Sequence, residues 1–119
     1  MVKNGNHKNN NNMTRINVGM KPTELHDRHL IAEHREIIRI PNLIRKGSYC
    51  MDGQPDQFKL GTGHVKFFYD KLMYLHIRYL YLYDECIRRG FNVTDFSDSF
   101  DDLPNELYNW YDETDRFRS

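Results

Sequence analysis

Three arginines in the N-terminal half have the spacing of a phosphate-binding surface. Arg28, Arg35 and Arg39 are seven and four residues apart, so on one helix they would form a stripe, with the small Ala32 among them. Arginine can bind a phosphate through two parallel hydrogen bonds, and this stripe therefore predicts contact with a nucleic-acid backbone. Glu36 lies beside Arg35 and one turn before Arg39, where it would repel phosphate. Its presence needs a separate explanation.

Ordinary surface ion pairing is an alternative interpretation of the same helix. Glu24 precedes Arg28 by four residues, and Glu36 precedes Arg39 by three. Pairs of this spacing are common on solvated helix faces and contribute little to stability. The spacing alone leaves both interpretations open.

A metal site is a further alternative. His26, His29 and Glu33 are three and four residues apart and could share a helix face. Two histidines and one carboxylate still need a ligand from another part of the chain. His64 or His76 could supply it, but nothing in the sequence selects either.

The pair Met13–Thr14 raises the question of where the working chain starts. Residues 1–13 are polar, with asparagine at every position from 9 to 12, and this composition predicts a disordered tail. A start at Met13 would leave that tail untranslated, and methionine is readily removed before a small residue. Thr14 would then carry a free α-amine, which is a nucleophile near neutral pH.

Residues 23–45 have the pattern of the helix that must position the arginines. Thr23 is the expected N-cap, and apolar residues recur at helical spacing. Pro41 predicts a kink or break near Ile40. The short continuation should end at Gly47.

A second, longer helix is predicted over residues 64–90. Its apolar positions are three and four residues apart: Val65, Phe68, Leu72, Leu75, Tyr79, Leu82 and Cys86. Thr62 is the expected N-cap, and Gly90 the expected end. This helix has enough apolar surface to be the central core element. Its aromatic side chains are better explained by packing than by base stacking.

The remaining segments predict loops and short turns. Residues 48–62 have no clear period and contain Gly53, Pro55 and Gly61, so we expect a loop. The segment after Gly90 is irregular, acidic and aromatic, with room for a helical turn or two after Pro104. The predicted fold is all-α: a single compact domain of two main helices, a short C-terminal helical turn and long loops.

The charges are distributed unevenly along the 119 residues, a length that fits one domain. The net charge is zero, yet residues 1–46 carry nine positive and four negative charges, and residues 91–119 carry two positive and eight negative. This segregation favours a nucleic-acid-binding face at the basic end. Solvated charges that segregate by chance are the alternative.

The expected location is the cytoplasm, that of the host cell if the gene is viral. No segment approaches the roughly 20 apolar residues of a membrane span, and the N-terminal segment has no apolar stretch typical of a signal peptide. The two cysteines, Cys50 and Cys86, belong to no CxxC pair and should be reduced. We expect Cys86 to be a small buried residue of the second helix.

Five segments occur in the order of one known family. They are TRIN at 14–17, EL-x-D-x-H at 24–29, HL-x-AE-x-RE-x-x-R at 29–39, GTGHVKFFYDKL at 61–72 and EC-x-RRGFN at 85–92. Together they resemble the phage pyrimidine-dimer DNA glycosylases with abasic-site lyase activity, the endonuclease V type. The resemblance covers about residues 14–110, with one extra residue near Lys21 and a rearranged loop at 48–58.

The resemblance implies a DNA-repair enzyme with two catalytic residues. Thr14 matches the threonine whose α-amine is exposed by loss of the initiator methionine. In the family this amine attacks the anomeric carbon of the damaged nucleotide and displaces the pyrimidine as an imine forms. Glu36 matches the essential carboxylate, which would stabilise cationic transition states and assist β-elimination. That role would explain a carboxylate among arginines.

The resemblance also implies the DNA contacts. Arg15, Arg35 and Arg39 match arginines that hold DNA near the lesion, and Arg28 and His29 occupy neighbouring DNA-facing positions. Arg28 replaces a neutral residue and adds charge. The implied substrate is double-stranded DNA with pyrimidine dimers or abasic sites, bound by a monomer without metal or cofactor. The duplex would be kinked and a base extruded.

Two features depart from the family pattern. If residues 1–13 are retained, the Thr14 nitrogen is an amide and cannot form an imine. The chain also stops at Ser119, where family members continue into a third helix and an aromatic tail that Trp110 and Tyr111 would replace only in part. The sequence therefore allows three readings: a working glycosylase and lyase of residues 14–119, a catalytically silent DNA-binding relative, or a degraded product that folds poorly.

Overall fold

The computed structural model of the chain describes residues 14–113. Four α-helices occur in this range: α1 (Asp27–Glu36), α2 (Arg39–Lys46), α3 (His64–Phe67) and α4 (Leu72–Arg88). Short 3₁₀ helices lie at Pro22–Glu24, Ser97–Phe100 and Asn105–Leu107. No strand is present between residues 14 and 113, and the predicted all-α single compact domain is confirmed. The prediction of a disordered tail at residues 1–13 lies outside the described residues.

Helix α4 is the central core element, as the sequence predicts. Five of its predicted apolar positions are fully buried: Leu72, Leu75, Tyr79, Leu82 and Cys86. Burying each large apolar side chain stabilises the fold by about 1.5–3 kcal/mol. Cys86 thus has the buried role expected of it, whereas Cys50 is exposed. None of the helices between residues 14 and 113 is long and apolar enough to cross a membrane.

The predicted helix over residues 64–90 is divided into α3 and α4. Phe67 and Phe68 are both buried, with ring centroids 5.1 Å apart. The backbone at Lys71 is not helical (φ −124°, ψ 43°), so the helix does not continue from Phe68 to Leu72. A turn closed by the hydrogen bond from the Lys71 N–H to the Phe68 carbonyl (2.9 Å) separates the two helices and brings both rings inside. The helix end at Gly90 is confirmed, because Gly90 has a φ of 84°.

The predicted cap of this region is also corrected. The N-cap of α3 is Gly63, not Thr62, and its φ is 91°. A Cβ atom there would lie 3.0 Å from Cγ of Pro55, so the loop passes too close for a larger residue. The predicted loop over residues 48–62 is otherwise confirmed.

The first predicted helix begins later than expected. A 3₁₀ turn at Pro22–Glu24 precedes α1, and its N-cap is Lys21 rather than Thr23. The Glu24 carboxylate accepts a hydrogen bond from the Lys21 N–H at 2.8 Å, which stabilises the turn. Extended backbone at Leu25 then directs that side chain into the core.

The break between α1 and α2 falls at residues 37–38 rather than near Ile40. Pro41 lies in the first turn of α2, where no intrahelical N–H bond is needed. A proline ring clashes with the carbonyl four residues earlier, which here belongs to Ile37, so the interruption lies one turn before the proline. Gly47 ends α2 as predicted, with a φ of 74°.

The segment after α4 folds back over the helices. The Tyr79 hydroxyl accepts a hydrogen bond from the Phe96 N–H at 2.6 Å. Nη2 of Arg45, on α2, donates to the carbonyls of Asp98 (3.1 Å) and Ser99 (3.0 Å). The helical turn predicted after Pro104 is present as the 3₁₀ helix Asn105–Leu107. These contacts join the segment to α4 through Tyr79 and to α2 through Arg45.

Candidate active site

The N-terminal segment Thr14–Val18 has no regular secondary structure and is nevertheless buried. Ile16 is fully inaccessible, and Thr14 and Val18 are only 3% and 4% exposed. Buried backbone groups need hydrogen-bond partners. Here side chains of α1, α3 and α4 provide them, so three helices together position this segment.

The first of these anchors is a buried ion pair between α1 and α4. The Arg78 guanidinium contacts both carboxylate oxygens of Glu33, through Nε to Oε2 and through Nη2 to Oε1 at 3.1 Å. Arg78 also donates to the Asn17 carbonyl (3.1 Å), and Glu33 accepts from the Asn17 side-chain amide (2.8 Å). Burial opposes the charge of Arg78, but the hydrogen bond and the charge of Glu33 outweigh it and raise the arginine pKa. The guanidinium therefore stays charged, and its hydrogen bond to the Asn17 carbonyl fixes Asn17.

The second anchor is His64, the first residue of α3. Its Nε2 accepts a hydrogen bond from the Ile16 N–H at 2.9 Å, so the proton of the neutral ring is on Nδ1, which donates to the Lys59 carbonyl at 2.8 Å. The ring is 4% exposed and packs edge-on against Phe58 and Phe68. Burial lowers the pKa of His64, and the nearby charge of Arg15 lowers it further. The imidazole is thus neutral at pH 7.

Thr14 contacts one of the three arginines that the resemblance implies as DNA contacts. Nη1 of Arg39, at the start of α2, donates to Oγ1 of Thr14 at 3.2 Å. Glu36 is the last residue of α1, three residues before Arg39, and its carboxylate lies 3.4 Å from Nη2 of Arg35. The Glu36 side chain is 14% exposed and that of Arg35 is 60% exposed. The Glu36 carboxylate is thus largely covered, and Arg39 contacts the residue at which the N-terminal segment begins.

The other predicted DNA contacts are exposed. Arg28 and His29 lie in the first turn of α1, about 10 Å along its axis from Arg35 and Glu36. The seven-residue spacing places Arg28 on the face of Arg35, and His29 on the face of Glu36. Arg15 is also exposed.

The predicted stripe of three arginines on one helix is therefore wrong in one respect. Arg39 belongs to α2, because α1 ends at Glu36. The Arg39 guanidinium contacts Thr14, whereas Arg28 and Arg35 are exposed on α1.

The side chains of the alternative metal site do not converge. The Glu33 carboxylate points into the core towards Arg78, whereas His26 and His29 are exposed, with ring centroids 6.2 Å apart. The ring of His76 is stacked on Phe100 at 4.8 Å. Between residues 14 and 113, no three histidine, cysteine, aspartate or glutamate side chains come close enough to hold a metal ion.

An open groove of about 630 Å³ lies along the outer face of α4. Tyr74, Ile77 and Tyr81 line it, together with Trp110 from the C-terminal segment. Trp110 is 53% exposed, whereas Tyr111 is buried against the core. The two aromatic residues expected to act together thus lie in different environments. Neither Thr14 nor Glu36 lines this groove.

The anchoring roles of Glu33, His64 and Arg78 were missed by the sequence analysis. Arg78 was the one with a readable signal, because it lies three residues after Leu75 and four before Leu82 and therefore borders the apolar stripe. A charged residue at such a position is expected to have a buried partner.

A comparison with protein families supplies independent information. Residues 13–98 match the family model for pyrimidine dimer DNA glycosylase. The match begins next to Thr14 and includes all four α-helices, both anchors and the pair Arg35–Glu36. It covers more than half of the chain. The chain therefore belongs to the pyrimidine dimer DNA glycosylase family.

Proposed function

We propose that the protein removes the damaged base through the α-amine of Thr14 and then cleaves the strand as an abasic-site lyase. The observation that carries the proposal is the position of Thr14, whose hydroxyl is hydrogen-bonded to Arg39, three residues beyond Glu36 at the end of α1. The family membership supplies the substrate class, DNA with pyrimidine dimers. The proposal requires a chain that begins at Thr14, since a peptide nitrogen there could not act.

The first step is nucleophilic displacement at the sugar. An α-amine has a pKa of about 8, so a substantial fraction is neutral at pH 7. The amine attacks C1′, the bond from C1′ to the pyrimidine nitrogen breaks, and the base leaves with that electron pair and is protonated. Loss of a proton from the nitrogen and opening of the ring give an imine. Glu36 would stabilise the positive charge that develops on the sugar.

The second step breaks the strand. The protonated imine acidifies C2′, from which Glu36 would take a proton. The electrons form the C2′–C3′ double bond, and the 3′ phosphate leaves. Water then hydrolyses the imine and releases Thr14. The residual negative charge of Glu36 is tolerable next to DNA because Arg35 and Arg39 neutralise the adjacent phosphates.

The surface of α1 would carry the duplex. Arg28 and Arg35 are exposed on one face of α1, and His29 is exposed on the neighbouring face. Arg15 extends from the segment that carries Thr14. Phosphate contacts of this kind fix the register of the duplex, and base extrusion at a distorted dimer requires less energy than at an intact pair.

Borohydride trapping on a duplex with one abasic site tests the proposal. The chain that begins at Thr14 should give a covalent adduct, and mass analysis should place it on the Thr14 nitrogen. A chain that retains residues 1–13 is the matched control and should bind DNA without being trapped. Absence of an adduct from the folded Thr14 chain would contradict the proposal and favour the alternative, a catalytically inactive DNA-binding relative.

A further inference from the structure

The hydrogen bond between Ile16 and His64 points to a role in the reaction. We propose that His64 is a positioning residue: its neutral imidazole holds the Ile16 amide and so fixes Thr14, two residues earlier, for attack on the sugar. This inference rests on the proposed role of Thr14 as the nucleophile. The hydrogen bonds of His64 are made to Ile16 and Lys59 and not to Thr14, so its effect on Thr14 is indirect.

The geometry around His64 is rigid. The ring is fixed on one side by the Lys59 carbonyl at 2.8 Å and on its faces and edges by Phe58 and Phe68, with centroid distances of 5.5 and 5.3 Å. It begins α3 directly after Gly63. The imidazole therefore cannot follow a displaced Ile16, and the bond defines where the segment lies.

The two anchors hold different residues of the N-terminal segment. Glu33 and Arg78 hold the backbone and side chain of Asn17, so residues beyond Asn17 stay in place without His64. Residues before Asn17 would then be held chiefly by the apolar contacts of Ile16 and by the Arg39–Thr14 bond. Loss of the His64 acceptor should thus loosen Thr14 more than it loosens the fold. A displacement of about 1 Å at a reacting group can lower the rate about 100-fold.

The role requires the neutral ring. A protonated imidazole would direct an N–H at the N–H of Ile16 and could not accept its hydrogen bond. Two charged groups influence the ring: Arg15, from the N-terminal segment, and Glu33, from α1. The Lys59 carbonyl, which accepts a hydrogen bond from the ring, belongs to the loop before α3. Burial keeps the His64 pKa below its ordinary value of 6.5, with Arg15 acting in the same direction. Protonation in acid should therefore release Thr14.

Variants of the chain that begins at Thr14 test this role. His64→Leu removes the acceptor and retains apolar volume, and His64→Gln retains an amide oxygen that does not titrate. His76→Gln is the control for substitution of a histidine by glutamine. His76 is partly buried, and its ring contacts Phe100 and Tyr108 rather than the N-terminal segment. The measurements are the single-turnover rate of borohydride trapping at saturating abasic duplex, the Kd of that duplex, and the melting temperature.

We expect His64→Leu to be trapped about 10- to 100-fold more slowly, with a Kd within about threefold of the unaltered chain. His64→Gln should recover most of the rate, and His76→Gln should retain all of it. A His64→Leu chain that is trapped at the unaltered rate, or whose slower trapping is accounted for by weaker binding or by its unfolded fraction, would overturn the inference. If the unaltered Thr14 chain is not trapped, the proposed function fails, and the inference fails with it.

The pH profile decides the question even if His64→Leu does not fold. Protonation of the Thr14 amine alone should give a log rate that rises with a slope of one as pH increases towards about 8. In the unaltered chain, protonation of His64 should increase that slope to two at some pH below 6.5. In His64→Gln, whose amide does not titrate, the slope should remain one. Identical profiles for the two chains would refute the positioning role.

Discussion

The buried ion pair between Glu33 and Arg78 gives the sharpest stability prediction. Replacement of Arg78 by Met keeps much of the side-chain volume but leaves the Glu33 carboxylate, 1% exposed, without its cation. It also removes the hydrogen bond to the Asn17 carbonyl. Breaking a buried pair by removing one partner costs about 3–5 kcal/mol. That is a large part of the roughly 5–15 kcal/mol that stabilises a typical domain.

Urea unfolding at pH 7 measures this cost. The chain has a single tryptophan, Trp110, whose fluorescence can be compared with the helical circular dichroism signal. Arg88→Met is the matched control on the same helix, because the Arg88 side chain is 66% exposed and its partner Glu85 keeps the hydrogen bond from Arg89. We expect this control to lose only a small fraction of the stability that Arg78→Met loses.

A double-mutant cycle separates the pair from its neighbours. The doubly altered chain Glu33→Gln/Arg78→Met should be more stable than the sum of the single changes implies, with a coupling of about 2 kcal/mol. Additive effects, or an Arg78→Met chain as stable as Arg88→Met, would show that water reaches the pair in solution. The reasoning about the first anchor would then be refuted.

The other predictions concern catalysis, DNA binding and pH. Glu36→Gln should abolish strand cleavage while leaving the duplex Kd nearly unchanged. The control Glu106→Gln, at an exposed residue of the C-terminal segment, should change neither the cleavage nor the Kd. Cleavage by the Glu36→Gln chain would exclude the proposed mechanism. Arg35→Ala should reduce the slope of log binding constant against log salt by about 1, as measured by titration at several salt concentrations, and an unchanged slope would mean that Arg35 contacts no phosphate. The hydrogen bonds from the two arginines that follow Glu85 lower its pKa from an ordinary 4.5 to about 2. This contribution to stability is present above pH 4.5 and is lost as the pH falls towards 2. In Glu85→Gln, the melting temperature should therefore fall less steeply with decreasing pH over that range. An unchanged dependence of melting temperature on pH would contradict the role assigned to Glu85.

The sequence predicts the periodic part of this molecule well. The apolar stripe of α4 is readable because a helix repeats its buried face every three or four residues, and Gly47 and Gly90 are readable because a left-handed residue at a helix end favours glycine. The break at residues 68–71 is not readable in the same way. The apolar spacing of three and four continues through it, from Val65 and Phe68 to Leu72, so the periodicity gives no sign of a turn there.

Less of the candidate active site can be predicted from the sequence. Thr14, Glu36 and the surrounding arginines were identified through the resemblance to a family, and their catalytic and DNA-binding roles remain predictions. The anchors join residues 45 and 48 positions apart, Glu33 with Arg78 and Ile16 with His64. No local pattern encodes contacts of that range. Residue type indicated only that Arg78 needed a partner, and not which residue would provide it.

The burial of the N-terminal segment has a consequence for how the molecule opens. Segments that carry reactive groups are often drawn from the least stable parts of a protein, which exchange their amide hydrogens by local fluctuations. Here Ile16 is fully buried, its amide is bound to His64 of α3, and that of Asn17 is bound to Glu33 of α1. The Asn17 amide can therefore exchange only when the buried pair Glu33–Arg78 opens, so its opening free energy should approach that of global unfolding. Asn17 and the core then form one cooperative unit, whereas Thr14, which precedes the bond to His64, can loosen separately.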